Sequence, residues 1–230
     1  MNKKLIYPIF FIPVISIAND TFDPGSGKLD MPSVTVGSLC YEVKMQYLGD
    51  MKFEIASAEI IQRNMSSERI IVEPDDFSQG SDLSASTSGV QLSAIGTGNI
   101  SSAVFSVSSP GQASTGSQVF GYNNGSLGGQ WYTPTRVLRI DFTIATDFVS
   151  VDVKGFDSFD SGKMEIYDEE NTLLSTISSN DLVNNLPDTI STSIRSSADI
   201  SYVLVYGNNI SDTVGIDNLQ FNKISFNCSK

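Results

Sequence analysis

The feature that most constrains the fold is a hydrophobic period of two, which recurs along the chain in short runs rich in Val, Ile, Phe and Tyr. In YEVKMQYLGDMKFEI, apolar residues from Tyr41 to Ile55 alternate with polar ones, and a Gly49-Asp50 step separates two such runs. Alternation of this kind places apolar side chains on one face of a strand, and a Gly-Asp step between two alternating runs is typical of a β-hairpin. Apolar residues at helical spacing are almost absent. We therefore predict an all-β protein.

The strand pattern divides the chain into two β units. Residues 19–62 predict a small N-terminal β-meander, which is too small to bury its apolar face alone. The polar segment RNMSSE, residues 63–68, is interpreted as a connector, and residues 69–222 predict a two-sheet jelly-roll β-sandwich followed by a C-terminal tail at 223–230. The strands predicted for the sandwich are Arg69–Glu73, Val90–Ile95, Ala103–Val107, Gln118–Tyr122, Arg136–Phe142, Val149–Gly155, Lys163–Tyr167, Leu173–Ile177, Ser201–Val205 and Gly215–Phe221.

Residues 1–18 have the three parts of a secretory signal peptide. Lys3 and Lys4 form a positive end, residues 5–15 are almost wholly apolar, and Ser16-Ile17-Ala18 places small residues at a cleavage site. A membrane anchor is the alternative, but the apolar run falls well short of the ~20 residues that a membrane-spanning helix needs. We predict cleavage after Ala18 and a secreted protein, either periplasmic or extracellular, that does not insert into a membrane.

Net charge and cysteine content fit an exported chain. Cleavage removes two lysines from the 14 basic residues, so 12 basic and 26 acidic residues leave a net charge of 12 − 26 = −14. Such a surface repels nucleic acid and anionic membranes. The two cysteines, Cys40 and Cys228, are predicted to form one disulfide because exported proteins oxidise paired thiols. Two free buried thiols remain the alternative.

Both units resemble known exported proteins. FDPGSGKLDMPSVTVGSLCYEV, residues 22–43, resembles the opening module of exported bacterial proteins of unknown function. The segments EPDDFSQGSDLS, GVQLSA, STGSQVFGY, VSVDVKGFDS, KMEIYDEENTLLST and VGIDNLQF follow the order of a domain of exported bacterial proteins, many with a C-terminal sorting tail of the Pro-Glu-Pro type (PEP-CTERM). That domain is similar to the galactose-binding-like jelly rolls of carbohydrate-binding modules. The ending FNKISFNCSK is not such a tail, so we expect no anchoring by that route.

The absence of histidine from the sequence removes most catalytic chemistry. It excludes Ser-His-Asp and Cys-His catalysis as well as zinc and iron sites built on histidine. Two distant cysteines do not make a Cys-rich zinc site, and no phosphate-binding glycine motif opens a helix. The remaining enzymatic option is a carboxylate pair of the kind that glycoside hydrolases use. We expect a protein that is not an enzyme.

A structural Ca²⁺ is the cofactor that the sequence supports best, because Ca²⁺ takes six to eight oxygen ligands. The first and last strands of a jelly roll can lie side by side, and the resemblance implies a calcium there. The predicted ligands are Glu73, Asp76, Asp82 and Asp217, with Asp75 and Asn218 nearby. The alternative is that Asp75 and Asp76 cap backbone amides in a turn. A second acidic cluster, Asp157, Asp160 and Asp168, is interpreted as turn residues.

Carbohydrate binding requires exposed aromatic rings beside amides, because a sugar ring stacks on an aromatic face while its hydroxyls bind Asn, Gln and Asp. The only tryptophan lies in GGQWYTPT, just after the Gly- and Asn-rich loop GYNNGSLGG. The predicted ligand-binding residues are Tyr122, Asn123, Asn124, Gln130, Trp131 and Tyr132. The alternative is that Trp131 fills the core where this loop rejoins the sandwich.

Three functions therefore stay open at the level of the sequence. The first is a non-catalytic binding module for carbohydrate, such as a polysaccharide or cell-surface glycan, or for another extracellular polymer. The second is a structural or interaction protein of the cell surface or extracellular matrix, and the third is a carboxylate-based glycoside hydrolase. An exposed aromatic platform would favour the first, an unpaired edge strand the second, and a cleft of converging acids the third.

Overall fold

The computed structural model describes residues 21–23, 28–30, 34–36, 39–49, 52–61, 63–132, 135–157, 159–180, 182 and 186–228, with side chains from residue 66 to residue 225. The predicted signal peptide and its cleavage site lie outside the described residues. The chain forms two compact units, one made of residues 1–66 and 226–230 and the other of residues 67–225. The larger unit is therefore inserted into the chain of the smaller one.

The smaller unit is an antiparallel sheet in which β4 is the central strand. The strands are β1 (Thr21–Asp23), β2 (Lys28–Asp30), β3 (Val34–Val36), β4 (Leu39–Gly49) and β5 (Lys52–Ile61). β2 and β3 pair with successive parts of β4, and β5 also pairs with β4 along most of its length. The hairpin predicted from the alternating runs is therefore present as β4–β5. Cys40 lies in β4 and Cys228 ends the last strand, but the predicted disulfide concerns side chains outside the described residues.

The larger unit is a β-sandwich of two antiparallel sheets together with a smaller third sheet of order β10-β9-β8, which confirms the predicted fold class. One sheet has the order β14-β13-β16-β11-β7 and the other has the order β15-β12-β17-β6. Consecutive strands from β11 onward cross repeatedly between the two sheets, as in a jelly roll. The strands are β6 (Arg63–Val72), β7 (Val90–Ile95), β8 (Phe105–Ser108), β9 (Gln118–Asn123), β10 (Leu127–Gly128), β11 (Val137–Thr146), β12 (Val149–Gly155), β13 (Gly162–Tyr167), β14 (Leu173–Ser178), β15 (Asp188–Ser191), β16 (Ile200–Gly207) and β17 (Val214–Cys228).

The core lies between the two sheets and is built from the apolar members of the alternating runs. Met164 and Ile166 of β13 face inward with Val203 and Val205 of β16, while their neighbours in sequence face outward. This period-two burial explains why each predicted sandwich strand has an observed counterpart. Within the described residues, the one helical element is a 3₁₀ turn over Pro74–Asp76, and none is long and apolar enough to cross a membrane.

The structure corrects the predicted bounds at both ends of the sandwich. The segment 63–68 is part of β6 rather than a connector, and β17 continues to Cys228 through most of the predicted tail. β6 lies at the edge of its sheet, where exposed polar residues such as Glu68 and Arg69 are compatible with a strand. The short strands β10 and β15 were not predicted, because two and four residues carry too little alternation to detect.

One end of the sandwich, here called the loop end, gathers the described residues of three segments: 129–132 with 135–136, 155–157 with 159–161, and 208–213. The Trp131 backbone N–H donates to the Val214 carbonyl at 2.9 Å, and the Gly207 N–H donates to the Trp131 carbonyl at 3.2 Å. On its other side, the segment 208–213 is bonded to the segment 155–161, because the Asn208 N–H donates to the Ser161 carbonyl at 2.8 Å. These bonds fix the loop end relative to the strands.

Candidate functional site

The six predicted ligand-binding residues are here called the aromatic patch. The tryptophan of this patch is not exposed. Trp131 is fully buried, its indole Nε1 donates to the Phe120 carbonyl at 2.8 Å, and its ring contacts Tyr122 edge-on with centroids 5.4 Å apart. A buried ring has no face to offer a ligand, so the prediction of Trp131 as a binding platform is wrong and the alternative, a core role, applies. Tyr122 is also buried.

The polar members of the patch do reach the surface. Asn124 and Gln130 are exposed, while Asn123 and Tyr132 are half-buried. The structure adds Arg136, which the sequence did not suggest. The Arg136 guanidinium carbon lies 4.3 Å from the centre of the Tyr122 ring and 5.0 Å from the centre of the Tyr132 ring. What remains of the patch is therefore a cation held by two tyrosines and bordered by amides.

Exposed aromatic rings lie elsewhere at the loop end, in the segment 155–161. Phe159 is 80% exposed and Phe156 is 44% exposed, and the neighbouring segment 208–213 presents Ile210 at 80%. Asn209, also in this second segment, is exposed as well. We call Phe156, Phe159, Asn208, Asn209 and Ile210 the aromatic platform. The sequence did contain a signal for it, since GFDSFD places two phenylalanines in a turn and outside any alternating run.

A buried aspartate holds the phenylalanines of the platform in place. Asp160 is buried, and its Oδ2 accepts hydrogen bonds from the backbone N–H of Phe156 at 2.7 Å and of Asp157 at 3.0 Å. Its Oδ1 accepts from the Thr213 N–H at 3.1 Å, which ties the two segments of the platform together. The interpretation of Asp160 as a turn residue is therefore confirmed, and the turn that it closes carries exposed aromatic rings.

A second buried aspartate orders the other segment. Asp212 Oδ2 accepts from the Ser161 hydroxyl at 2.8 Å and from the Asn209 side-chain amide at 3.2 Å. Asp157 and Asp168 also act as turn residues, because their carboxylates accept backbone N–H bonds from Phe159 and Thr172. The platform is therefore a pre-ordered surface whose apolar side chains face water.

The predicted calcium ligands are brought together only in part. Glu73 and Asp217 are neighbours, because β6 and β17 lie side by side in one sheet and the Asp217 carboxylate contributes to the raised pKa of Glu73. Asp76 and Asp82 are exposed, and the Asp82 carboxylate accepts from the Ser84 N–H at 2.8 Å in a local turn. Across the described residues, no three acidic or cysteine side chains form a group able to hold a metal ion. The four predicted ligands thus reduce to one pair.

The acid pair is covered by the loop Ser114–Gln118. Asp217 is 1% exposed, and its Oδ2 accepts from the backbone N–H of Ser114 at 2.9 Å and of Thr115 at 3.2 Å. Asp75 accepts from the N–H groups of Ser117 and Gln118 at the other end of the loop. The confirmed part of the prediction is that Asp75 caps backbone amides, as the turn interpretation expected.

Glu73 is the unusual member of the pair. Its Oε1 is buried and accepts no hydrogen bond from the described residues. Burial, followed by the neighbouring Asp217 carboxylate, raises the pKa of Glu73 to about 7. Near pH 7 the Glu73 carboxyl is therefore about half protonated, which reduces the negative charge of the pair.

A tyrosine cluster covers the outer face of the five-stranded sheet. The rings of Tyr167 and Tyr202 stack with centroids 4.7 Å apart, and the Arg139 guanidinium carbon lies 3.9 Å from the centre of the Tyr202 ring. The Tyr167 hydroxyl donates to Glu165 at 2.8 Å. Burial and this bond raise the pKa of Tyr167 to about 12. Because the tyrosine rings, the guanidinium and the carboxylate contact one another, the cluster stiffens the sheet and leaves little ring surface open to a ligand.

Comparison with known proteins identifies no family. No family model matches the chain, and no curated protein matches it. Among solved structures, the chain is similar to a mutant of CBM29-2, a family 29 carbohydrate-binding module, with a TM-score of 0.34, 10% identity, and coverage of 69% of this chain and 92% of that one. It is also similar to a family 6 carbohydrate-binding module, with a TM-score of 0.27, 20% identity, and coverage of 66% and 92%.

A third similar structure is the enzymatically active domain of tailspike protein 4 of bacteriophage CBA120, with a TM-score of 0.28 and 12% identity. The match covers 62% of this chain but only 20% of the tailspike chain. At such TM-scores, none of these likenesses identifies a relative. What the chain binds must therefore be inferred from its own residues.

Proposed function

We propose that this chain is an exported, non-catalytic carbohydrate-binding protein whose larger unit binds polysaccharide at the aromatic platform. The observation that carries the proposal is the exposure of Phe159 and Phe156 on a segment that Asp160 holds in place. Water-exposed phenylalanine rings are unfavourable unless a ligand covers them, because each ring leaves a large apolar area in contact with solvent.

The chemistry beside the rings suits a sugar. The apolar C–H face of a pyranose packs on an aromatic ring, while its hydroxyl groups need donors and acceptors around the rim. Asn208 and Asn209 supply amides in the adjacent segment, and the exposed Asp157 supplies a carboxylate. A pre-ordered site also favours affinity, because little conformational entropy is lost on binding.

The acid pair supports a non-catalytic role. A glycoside hydrolase needs two carboxyl groups that both reach the scissile bond. Glu73 has a raised pKa, but its partner Asp217 is buried and already accepts bonds from Ser114 and Thr115. The pair therefore lacks an accessible second carboxylate, and we assign it to stability.

Phe159→Ala is expected to lower affinity for a bound polysaccharide at least tenfold, which corresponds to about 1.4 kcal/mol of lost stacking. The melting temperature should stay nearly unchanged, because the ring makes little contact with the core. A glycan array with the mature full-length chain would identify the ligand, and affinity electrophoresis would compare the variants. Ile194→Ala is the matched control, since Ile194 is 66% exposed but lies outside the platform.

Two results would contradict the proposal. Equal binding by Phe159→Ala and the wild-type chain would show that the platform is not the site. Binding to a surface protein but to no glycan would favour the structural or interaction protein, for which the exposed Ile210 is the specific observation.

We also propose that a cation, Ca²⁺ being the best candidate, stabilises the Glu73–Asp217 pair. The support is the pair's mutual repulsion together with the unpartnered buried Oε1 of Glu73. These two carboxylates and the nearby Thr115 hydroxyl are oxygen donors of the kind that Ca²⁺ takes, with water as the remaining ligands. When bound, the ion would replace the proton that Glu73 holds below its pKa.

The expected effect depends on pH. Because the pKa of Glu73 is about 7 in the folded protein and near 4.5 when unfolded, the folded state binds the extra proton and stability falls as pH rises from about 4.5 through 7. Ca²⁺ should therefore raise the melting temperature at pH 8, by the equivalent of about 2.7 kcal/mol at a hundredfold excess over Kd, and have little effect at pH 5. Chelator should reverse the gain.

Glu73→Gln should remove both the pH dependence and the response to Ca²⁺. Asp82→Asn is the charge-matched control, because Asp82 caps a separate turn. A wild-type melting temperature that neither Ca²⁺ nor chelator changes at pH 8 would count against the cation. Protonation of Glu73 would then remain as the factor that stabilises the pair.

A further inference from the structure

Arg136 occupies a fixed position between two tyrosine rings at the start of β11. Its backbone N–H donates to the Tyr132 carbonyl at 2.9 Å, and the Tyr132 N–H donates back at 3.0 Å. Arg136 Nη1 donates to the Tyr122 hydroxyl, and both rings lie within 5.0 Å of the guanidinium carbon. These contacts hold the guanidinium at one place and one tilt.

The charge on Arg136 is not neutralised within the described residues. The ion pairs there join Arg139 to Asp141, Lys163 to Glu165 and Arg195 to Asp199. None includes Arg136, although the chain has 26 acidic and 14 basic residues. Its Nε is buried and also makes no hydrogen bond to the described residues. A guanidinium that no carboxylate neutralises can pair with an anion from outside the protein.

Asn124 contacts Arg136 but leaves one hydrogen free on each of its two terminal nitrogens for such an anion. In the amide orientation that satisfies both of its ends, Asn124 donates to the Ser126 carbonyl at 3.0 Å and accepts from Arg136 Nη2 at 2.6 Å. Nη1 and Nη2 thus each use one hydrogen on the protein and keep one. N–H groups on the two terminal nitrogens of a guanidinium can bind both oxygens of a carboxylate.

We propose that Arg136 binds the carboxylate of an acidic sugar residue, so that the ligand is a polysaccharide containing uronic acid. This inference rests on the proposed carbohydrate-binding function and names the ligand class. The segment 208–213 follows β16, which lies between β13 and β11 in one sheet, and its Thr213 N–H donates to Asp160 in the Phe159 segment. One polymer chain crossing the loop end would place a sugar ring on Phe159 and a carboxylate on Arg136.

The overall charge makes the test specific. With 12 basic and 26 acidic residues, the mature chain has a net charge of 12 − 26 = −14 and repels polyanions in general, so retention of an acidic polymer requires a local cationic site. Isothermal titration of the mature full-length chain would compare three probes: oligogalacturonate, the same oligomer as its methyl ester, and a neutral gluco-oligosaccharide. We expect oligogalacturonate to bind and the ester to bind about ten- to a hundredfold more weakly.

The variants distinguish bidentate binding of a carboxylate from a general attraction between opposite charges. Arg136→Gln should lose the preference for the free acid, and Arg136→Lys should lose most of it because an ammonium lacks the fork. Lys223→Gln is the charge-matched control, since Lys223 bonds to Ser88 and lies in β17 away from the patch. If Arg136→Gln has a lowered melting temperature, the NMR resonance of the wild-type Arg136 Nε–H provides a second readout. This resonance should shift when oligogalacturonate is added but not when its ester is added.

Each outcome decides the proposal. Equal affinity for acid, ester and neutral probes would overturn the assignment of a uronate and leave the carbohydrate-binding function intact. Binding of the acid that Arg136→Gln does not weaken would also overturn it. Binding to none of these probes, nor to any glycan on the array, would reject the proposed function itself.

Discussion

Trp131→Ala is expected to destabilise the larger unit by about 3 to 5 kcal/mol, because it empties the largest fully buried side-chain site in the core. The Phe120 carbonyl would lose the indole N–H at 2.8 Å, which adds about 1 kcal/mol or more. This loss is a large share of the stability of a typical domain. Urea unfolding followed by far-UV circular dichroism would measure it.

Trp131→Phe separates the two contributions. It keeps most of the ring volume next to Tyr122 but removes the N–H, so it should cost less than the alanine change. Because the chain has one tryptophan, the wild-type fluorescence reports on this site alone and should be blue-shifted and shielded from acrylamide. An alanine variant as stable as the wild type, or a readily quenched indole, would contradict the core position.

Asp160→Ala is expected to cost about 2 to 4 kcal/mol and to release the phenylalanines of the platform. It removes the acceptor of three backbone N–H groups, those of Phe156, Asp157 and Thr213, and each donor left without a partner when buried costs about 1 to 3 kcal/mol, less where water can enter. Urea unfolding would give the cost. Chymotrypsin, which cuts after phenylalanine, should cleave the variant at Phe156 or Phe159 much faster than the wild type.

The control for this second change is Asp157→Ala. Asp157 is exposed and its carboxylate accepts a single backbone bond, from Phe159 at 2.9 Å, so its loss should cost under about 1 kcal/mol. Asp160→Ala should also weaken polysaccharide binding even though both rings remain. Equal resistance of the two variants to chymotrypsin would show that the platform does not depend on Asp160.

The strands were predictable because each carries its own signal. Alternation along Lys163–Tyr167 or Val149–Gly155 depends on local sequence, and burial on one face of a sheet enforces it. The meeting of Glu73 with Asp217 was predictable from topology, since β6 and β17 are neighbouring strands of one sheet. The position of the Asp82 side chain could not be predicted in this way, because its carboxylate bonds to the Ser84 N–H within a local turn.

The candidate binding surface was harder to predict because exposure depends on distant partners. Trp131 is buried by its bridge to Val214, more than eighty residues away in sequence, and no local pattern reports that contact. Phe159 is exposed and lies next to Asp160, whose carboxylate accepts a bond from Thr213, more than fifty residues away in sequence. Arg136 lay at the predicted start of a strand, where its side chain alone gave no indication that two tyrosines from different segments would hold it.

The adjacency of β6 and β17 has a consequence for how this architecture can arise. The larger unit begins on one of these strands and ends on the other, and Arg69 of the first bonds to Asn222 of the second at 2.9 Å. Its two ends therefore leave the sandwich about one strand spacing apart, roughly 4.8 Å. A single genetic insertion between the codons of two adjacent residues of a smaller ancestor could add or remove the entire sandwich. The loop end would be gained or lost together with the rest of the sandwich.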